Sequence, residues 1–230
     1  MNQGLSMIEV LIALALSLSI LSIVIINVSQ SASLSKKTIS NQQRLESMFH
    51  TVDTIKSDLT KCGMRLQEAI KNFDLRTFEN TAQHFMVLYG ISSEHSLCEA
   101  RMGEKVIQVN RNDYFKAKKK ILIYNAVTGV HEYNEIRSLE DETISLAKNL
   151  EHDYPLHSQI VILRQVEYKL YPGQNTLKRK VDRGYFQPLI EEVTDFHISF
   201  FPESKSVLYK IEINNKEQIR GYIFLVNMVA

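Results

Sequence analysis

Residues Gly4 to Val28 read GLSMIEVLIALALSLSILSIVIINV, and Glu9 is the only charged side chain among them. An apolar run of this length can cross the ~30 Å hydrocarbon layer of a bilayer as a helix, which needs about 20 residues. A carboxylate inside lipid is costly, so Glu9 is a candidate functional residue for which a partner must be named. The simpler interpretation is a membrane anchor, or an uncleaved signal, that tolerates one acid near its end.

Gly4, Leu5 and Glu9 decide between these interpretations. The segment GLSMIEVLIALAL resembles the leader junction of type IV prepilins and type II secretion pseudopilins. That family has Gly before the cleaved bond, an apolar residue after it, and Glu at the fifth position after the cut. The resemblance implies cleavage between Gly4 and Leu5 by prepilin peptidase on the cytoplasmic side, and N-methylation of Leu5. Leu5 replaces the usual Phe, and the leader 1–4 lacks Lys and Arg.

Cleavage at this junction would leave a cationic α-amino group on Leu5 at the membrane face. Opposite charges attract strongly in a low-dielectric layer, whereas either charge alone is penalised by desolvation. The amine of a neighbouring subunit is therefore the natural partner of Glu9, and their pairing would set the axial register between subunits. This interpretation makes Glu9 an assembly residue.

Composition allows one domain in addition to the N-terminal helix. The chain has 230 residues, 44% of them hydrophobic, and a formal net charge of +1, so no global field indicates nucleic acid or an acidic substrate. A secretory signal needs a basic start and a short apolar stretch, and this chain has neither. Ser31-Ala32-Ser33 is only a passable cleavage site for such a signal.

From Ser29 the sequence turns polar, but helical periodicity continues to Phe73. Apolar and small side chains follow alternating steps of three and four, as on one face of an amphipathic helix: Leu45, Met48, Val52, Ile55, Leu59, Cys62, Leu66, Ala69 and Phe73. The pattern predicts one helix of ~70 residues, roughly 100 Å long, with one half in lipid and the other packed on a globular head. The stripe equally suits a coiled coil.

Two further segments resemble W-type minor pilins and J-type pseudopilins. Asp58-Leu59-Thr60-Lys61-Cys62-Gly63-Met64 is similar to the "Asp-Leu-x-x-Ala-Gly-aromatic" segment near the end of the long helix in W-type minor pilins. Tyr168, the Leu177-x-Arg179 strand and Val193-x-Asp195-Phe196 are similar to the C-terminal sheet in both types. The resemblance implies a pilin-like fold.

Short alternating or apolar runs predict strands in the rest of the chain. They are His84–Tyr89, Lys105–Val109, Lys120–Tyr124, Ile160–Tyr171, Thr176–Val181, Val193–Phe201, Val207–Ile213 and Gly221–Val229, with turns at Pro172-Gly173 and Asn214-Asn215. Residues 74–157 are expected to be rich in loops. Strands that follow a helix without βαβ alternation indicate an α+β fold with an antiparallel sheet on the helix's apolar stripe. The predicted organisation is leader 1–4, transmembrane and assembly helix 5–28, amphipathic helix 29–73 and head 74–230.

Few residues outside the N-terminal segment suggest chemistry. Cys62 and Cys98 are candidates for a disulfide outside the cytoplasm, and two separate thiols are the alternative. His95-x-x-Cys98 with Cys62 falls short of a zinc site in spacing and ligand number. His152 and His157 fit solvated loops.

A basic cluster at Lys116, Lys118, Lys119 and Lys120 offers contacts to DNA phosphates. The balanced net charge favours another interpretation, a solvated edge that protects a strand from aggregation. The acidic run 140–142 is expected at the surface. We predict no catalytic residues, cofactor or metal.

The sequence therefore predicts a minor type IV pilin: a non-enzymatic, single-pass subunit of the inner membrane with its head outside the cytoplasm. Its expected partners are prepilin peptidase and other pilin or pseudopilin subunits, in a helical assembly. The alternatives are a J-like minor pseudopilin of type II secretion and a membrane-anchored module that binds DNA or a surface. An unrelated single-pass protein, or a secreted enzyme with a chance leader, also stays open.

Overall fold

A computed structural model describes residues 7–81, 83–110, 113–214 and 217–228. The chain divides into two compact units, Met1–His50 and Thr51–Ala230. The α+β class expected from the sequence is present, with a long N-terminal helix and antiparallel β-sheets.

Helix α1 spans Met7–Lys61, and its part from Thr51 onward belongs to the second unit. A short helix α2 follows at Gln67–Phe73. The prediction of one uninterrupted helix to Phe73 is therefore wrong. The periodicity does not reveal the break, because the stripe residues that precede it and those that follow it are both buried.

The break between the two helices has a local cause. Gly63 and Arg65 have φ angles of 72° and 59°, in the left-handed region that an α-helix of L-residues does not use. The backbone N–H groups of Cys62 and Met64 donate to carbonyls only three residues back, which tightens the end of α1 into a turn. Asp74, with a φ of 50°, ends α2 in the same left-handed conformation.

The strands, numbered in chain order, are β1 Phe78–Thr81, β2 His84–His95, β3 Val106–Gln108, β4 Lys120–Asn125, β5 Val130–Glu140, β6 Thr143–Leu146, β7 Gln159–Tyr171, β8 Thr176–Val181, β9 Gln187–Ile190, β10 Val193–Phe201, β11 Ser206–Ile213 and β12 Glu217–Phe224. Within the described residues, β1 to β9 form one large antiparallel sheet of nine strands, in the order β1-β2-β7-β4-β5-β6-β3. Strand β8 pairs with β7 and with β9. Strands β10, β11 and β12 form a separate small sheet.

Residues 74–157 contain β1 to β6, and about half of the described residues there lie outside strands, as a region rich in loops does. The predicted strands near 84, 105 and 120 are present, but the sequence pattern does not indicate β1, β5 or β6. On β5, Glu132 and Asn134 point inward and are buried, whereas Tyr133 between them is 49% exposed. This inverted alternation of polar and apolar residues hides a strand from a pattern-based prediction.

The bounds of the C-terminal strands agree closely with those predicted from the sequence. The predicted bounds of β8 and β10 are confirmed, and β7 and β11 each begin one residue earlier than expected. Pro172–Gln174 forms a 3₁₀ turn between β7 and β8. Asn214 has a φ of 51°, but Asn215 of the predicted Asn-Asn turn lies outside the described residues. Strand β12 begins four residues earlier than expected and ends at Phe224.

The two faces of the large sheet carry different helices. Tyr168 of β7 contacts Asp58 of α1 on one face. Leu163, an odd number of residues away on the same strand, points to the opposite face and packs in one cluster with Ala69 of α2. The chain between α1 and α2 therefore passes around the sheet edge from one face to the other.

The residues of this crossing form hydrogen bonds with β2 just after Val87, the last residue of β2 that pairs with β1. The N–H of Gly63 donates to the carbonyl of Leu88, and the N–H of Gly90 donates to the carbonyl of Met64. A Cβ on Gly90 would come within 2.5 Å of a Val161 methyl group, so the close approach requires glycine.

We expect Gly63→Ala to lower the free energy of unfolding by roughly 2–3 kcal/mol, because the new Cβ would add a clash to an unfavourable φ. Its ideal Cβ lies 3.0 Å from the Asn227 carbonyl oxygen and 3.0 Å from Ile70 Cδ1. Gly103→Ala is the matched control, since Gly103 also has a positive φ but its Cβ would meet nothing within 4 Å. Urea unfolding of the full chain in detergent micelles measures both variants. Equal losses at the two positions would contradict the crossing geometry.

Candidate functional site

The N-terminal unit consists of the exposed part of α1. Glu9 is in the first turn of the described helix and is exposed. The apolar side chains that follow are exposed too: Leu11 is 59% accessible and Ile20 is 62% accessible. Helix α1 is long and apolar enough to cross a membrane, with a mean hydropathy of 2.6 in its most apolar window. Gly4 and Leu5, the predicted cleavage and methylation site, lie outside the described residues.

The serines of this segment are adapted to an apolar environment. The hydroxyls of Ser17, Ser19 and Ser22 donate to carbonyl oxygens four residues earlier, at 2.7, 2.9 and 2.8 Å. Each hydroxyl proton is thus satisfied within the helix, which lowers the cost of placing these side chains in lipid. Glu9 remains the ionisable side chain in the apolar stretch.

In the second unit, the principal polar site is a buried ion pair between α1 and β8. Asp58 is 3% exposed, on the buried face of α1. Its Oδ2 atom accepts from Arg179 Nε at 2.8 Å and from the Tyr168 hydroxyl at 2.5 Å, and its Oδ1 accepts from Arg179 Nη2 at 3.2 Å. The guanidinium binds the carboxylate through two nitrogens, the strongest geometry for such a pair.

The charges of this pair perturb its neighbours in a consistent way. Burial disfavours the charge on Arg179, but the hydrogen bonds and charge of Asp58 outweigh it and raise the pKa of Arg179. Burial, followed by the negative charge of Asp58, raises the pKa of Tyr168 and of nearby Tyr89. Both phenols therefore keep their protons at neutral pH. The cluster therefore keeps its protonation states at neutral pH, as expected for a contact with a structural role.

Asp58, Tyr168 and Arg179 lie in separate segments of the sequence, and no local pattern predicts their contact. The structure brings the three side chains together, although Asp58 is more than 100 residues from the other two along the chain. The available signal was Asp58 itself, an acid between the apolar stripe positions Ile55 and Leu59. An acid on the buried face of a helix needs a cationic partner.

The aromatic side chains around this ion pair connect the two sheets. Tyr168 stacks on Phe85 with ring centroids 4.4 Å apart, and Phe85 contacts Phe196 of the small sheet at 5.6 Å. Phe78 bridges Phe85 and Phe200 in the same way. Asp195, next to Phe196 in the motif, lies on the exposed side and pairs with Lys210.

The two cysteines are free, so the structure does not contain the candidate Cys62–Cys98 disulfide. Cys62 is fully buried, and its Sγ donates to the Thr77 carbonyl at 3.2 Å. Cys98 is exposed and contacts Gln108. Burial raises the pKa of the Cys62 thiol to about 11, which keeps it protonated and unreactive at neutral pH.

The expectation that the basic cluster near Lys120 protects an edge strand from aggregation is wrong. Strand β4, which begins at Lys120, pairs with β5 on one side and with β7 on the other. Lys119 pairs with Asp182 at 2.9 Å, and Lys120 donates to Gln165. Lys116 and Lys118 are exposed in the preceding loop.

Lys119 forms an ion pair at a gap in the large sheet, where β7 is paired with neither β4 nor β8. Strand β7 pairs with β4 up to Ile162 and with β8 from Val166 onward, on the same edge. In the gap, Asp182 accepts a hydrogen bond from the backbone N–H of Gln165 at 3.0 Å while it binds Lys119. Half of the basic cluster therefore serves the fold.

Other polar residues also make structural contacts. Buried Glu132 accepts from the backbone N–H of Glu151 at 2.7 Å and from the Tyr154 hydroxyl at 3.3 Å. Asn134 donates to Glu132 and to the Lys148 carbonyl. The acidic run 140–142 is exposed, as predicted. His152 and His157 are also exposed, in the loop before β7.

Neither a protein-family model nor a curated protein matches the sequence. Among solved structures, the Gp54 tailspike of Acinetobacter baumannii bacteriophage AP22, in complex with A. baumannii capsular saccharide, is similar to part of the chain. The match has 14% identity and a TM-score of 0.29, and it covers 35% of this chain and 15% of that protein. A similarity this low carries no argument about fold or function.

We expect Asp58→Ala to lower the free energy of unfolding by about 3 kcal/mol, because it leaves the Arg179 guanidinium without its carboxylate. The double variant Asp58→Ala/Arg179→Leu should lose less than the single variant, since it removes the uncompensated charge as well. Urea unfolding of the full chain in micelles gives both values. Asp195→Ala, which breaks an exposed ion pair, is the control and should leave stability unchanged. Additive losses in the double variant would contradict the assigned coupling.

Proposed function

We propose that this chain is a minor type IV pilin, a non-enzymatic subunit that enters a helical assembly through its N-terminal helix. One observation carries the proposal: Glu9 is the single charge in an apolar run, and it stands five residues after Gly4. The exposure of the helix's apolar side chains supports it, because such a surface needs lipid or other helices around it.

In this proposal, prepilin peptidase cleaves after Gly4 at the cytoplasmic face of the inner membrane, and Leu5 is N-methylated. The helix stays in the membrane with the head outside the cytoplasm. The α-amino group of Leu5 on one subunit then binds Glu9 of a neighbour. A charge pair in a low-dielectric layer favours one axial offset between helices, because any other offset leaves two charges in lipid. Repetition of one heterologous contact builds a filament or its tip.

The second unit supports a structural role for the head. Its buried acids are engaged in the fold: Asp58 binds Arg179, and Glu132 binds Tyr154 and the backbone of Glu151. Both acids therefore hold elements of the second unit together, as in a structural subunit. Assembly priming or a position in a tip complex, with other pilin subunits as partners, is the role that the resemblance to W-type minor pilins favours.

The second candidate is a J-like minor pseudopilin of type II secretion. Leu177-x-Arg179 and Val193-x-Asp195-Phe196 favour it, since both features occur in J-type sheets as well as in W-type ones. A DNA-binding module has less support, because Lys119 and Lys120 are occupied by Asp182 and Gln165.

We expect Glu9→Gln to reduce incorporation into assembled structures at least tenfold, while cleavage and membrane insertion continue. Gln keeps the size of the side chain but removes the charge that binds the Leu5 amine. The measurement compares the amount of chain in assemblies sheared from cells, or in large membrane complexes, with the total mature chain.

Two further variants sharpen this experiment. Glu9→Asp should assemble partly, because the charge remains on a shorter side chain. Ser17→Ala should assemble normally, because the Ser17 hydroxyl is bonded within its own helix. Normal incorporation of the Glu9→Gln chain would contradict the assembly role.

A further inference from the structure

A groove lies on the face of the large sheet that carries α2. Its volume is about 400 Å³, and its lining comes from Arg76 before β1, from β1, β2, β7, β4 and β5, and from residues 147 and 148. Pockets that bind small molecules have volumes of roughly 300–1,000 Å³. The floor contains the apolar side chains of Leu88 and Leu163, and half-exposed Tyr133 also lines the groove.

The groove exists because the sheet curls around it. Glu79 on β1 and Tyr133 on β5 are separated by three strands, which in a flat sheet is roughly 19 Å. Glu79 and Tyr133 nevertheless line the same groove, which therefore extends across these strands. Burial, and then the negative charge of Glu79, raises the pKa of the Tyr133 phenol.

The charges around the groove are predominantly positive. Arg76, Lys120 and Lys148 line it, together with Glu79 and Glu135. Glu135 is neutralised by a two-point contact with Arg183. Arg76 and Lys148 are exposed, and neither forms an ion pair with any residue in the described part of the chain. Three cations then face one uncompensated acid over an apolar floor.

We propose that this groove binds a small organic anion with an apolar body. The body would cover Leu163 and Tyr133, while the cations Arg76 and Lys148 would bind the acidic group. Removing apolar surface from water supplies most of the affinity, and the cations select a negatively charged ligand. The inference does not depend on the pilin proposal, since every residue involved lies in the second unit.

The absence of Trp from the sequence allows a direct test. Tyr133→Trp places a single reporter in the groove, and Tyr185→Trp places one at a position that is 92% exposed. The full chain in detergent micelles is titrated with 8-anilinonaphthalene-1-sulfonate, an aromatic sulfonate, and the wavelength of maximum Trp emission is recorded. We expect a saturable shift of this wavelength for Trp at position 133, which the ligand would touch, and no shift for Trp at position 185, which stays exposed to solvent.

Charge selectivity is tested with matched variants and a matched probe. Arg76→Gln together with Lys148→Gln should raise the dissociation constant at least tenfold, and both substitutions are at exposed side chains. N-phenyl-1-naphthylamine, which lacks the sulfonate, should bind at least tenfold more weakly and should not respond to these variants. If the Tyr133→Trp chain does not fold, the fluorescence of the bound sulfonate on the natural chain, with and without the rim substitutions, gives the same comparison.

Three results would overturn the proposal. An absent shift of the Trp emission wavelength at position 133, or equal shifts at positions 133 and 185, would show that the groove binds no such ligand. Unchanged affinity in the Arg76→Gln/Lys148→Gln chain would remove the anion selectivity. A change of Trp emission at position 133 with protein concentration alone, and no response to the sulfonate, would show that a second copy of the chain occupies the groove instead.

Discussion

The ion pair between Asp58 and Arg179 is the constraint on which the second unit depends. A buried carboxylate is tolerated only where a cation and further donors meet it, and Arg179 and Tyr168 do so here. The pair fixes α1 against the sheet in one register, because sliding the helix by one turn, about 5.4 Å, would separate the charges. Tyr168 in turn stacks on Phe85, which contacts Phe196. A single register of the helix is thus transmitted to both sheets.

The passage from α1 to α2 depends on the same anchor. Once Asp58 is held on one face, the chain has only residues 62–66, between α1 and α2, in which to reach the other face of the sheet. Gly63 and Gly90 make that possible, one by its left-handed backbone and the other by its lack of a side chain beside Val161. The face that α2 covers only in part also carries the groove. The register of α1, the crossing of the chain at the sheet edge and the position of the groove all belong to one packing arrangement.

Much of this architecture was predictable from the sequence, and the exceptions have physical reasons. The apolar run, the helical stripe and the strands β8 and β10 follow from periodicity, which local sequence determines. Strand β5 was missed because Glu132 and Asn134 are inward-facing and obtain their partners from distant residues. The end of α1 at Lys61 was missed because the stripe continues beyond it. The pairings of Asp58 with Arg179 and of Lys119 with Asp182 depend on tertiary contacts that no local pattern records.

The proposed function rests on the N-terminal segment, where one carboxylate stands in an otherwise apolar helix. Intact-mass and N-terminal peptide mass spectrometry of the protein from its native membrane, with and without a Gly4 substitution, tests it most directly. We expect a mature chain that begins at N-methylated Leu5 and a Gly4 variant that stays uncleaved. A mature chain that begins at Met1, or near Ser33, would contradict it, because Glu9 would then have no Leu5 amine to bind.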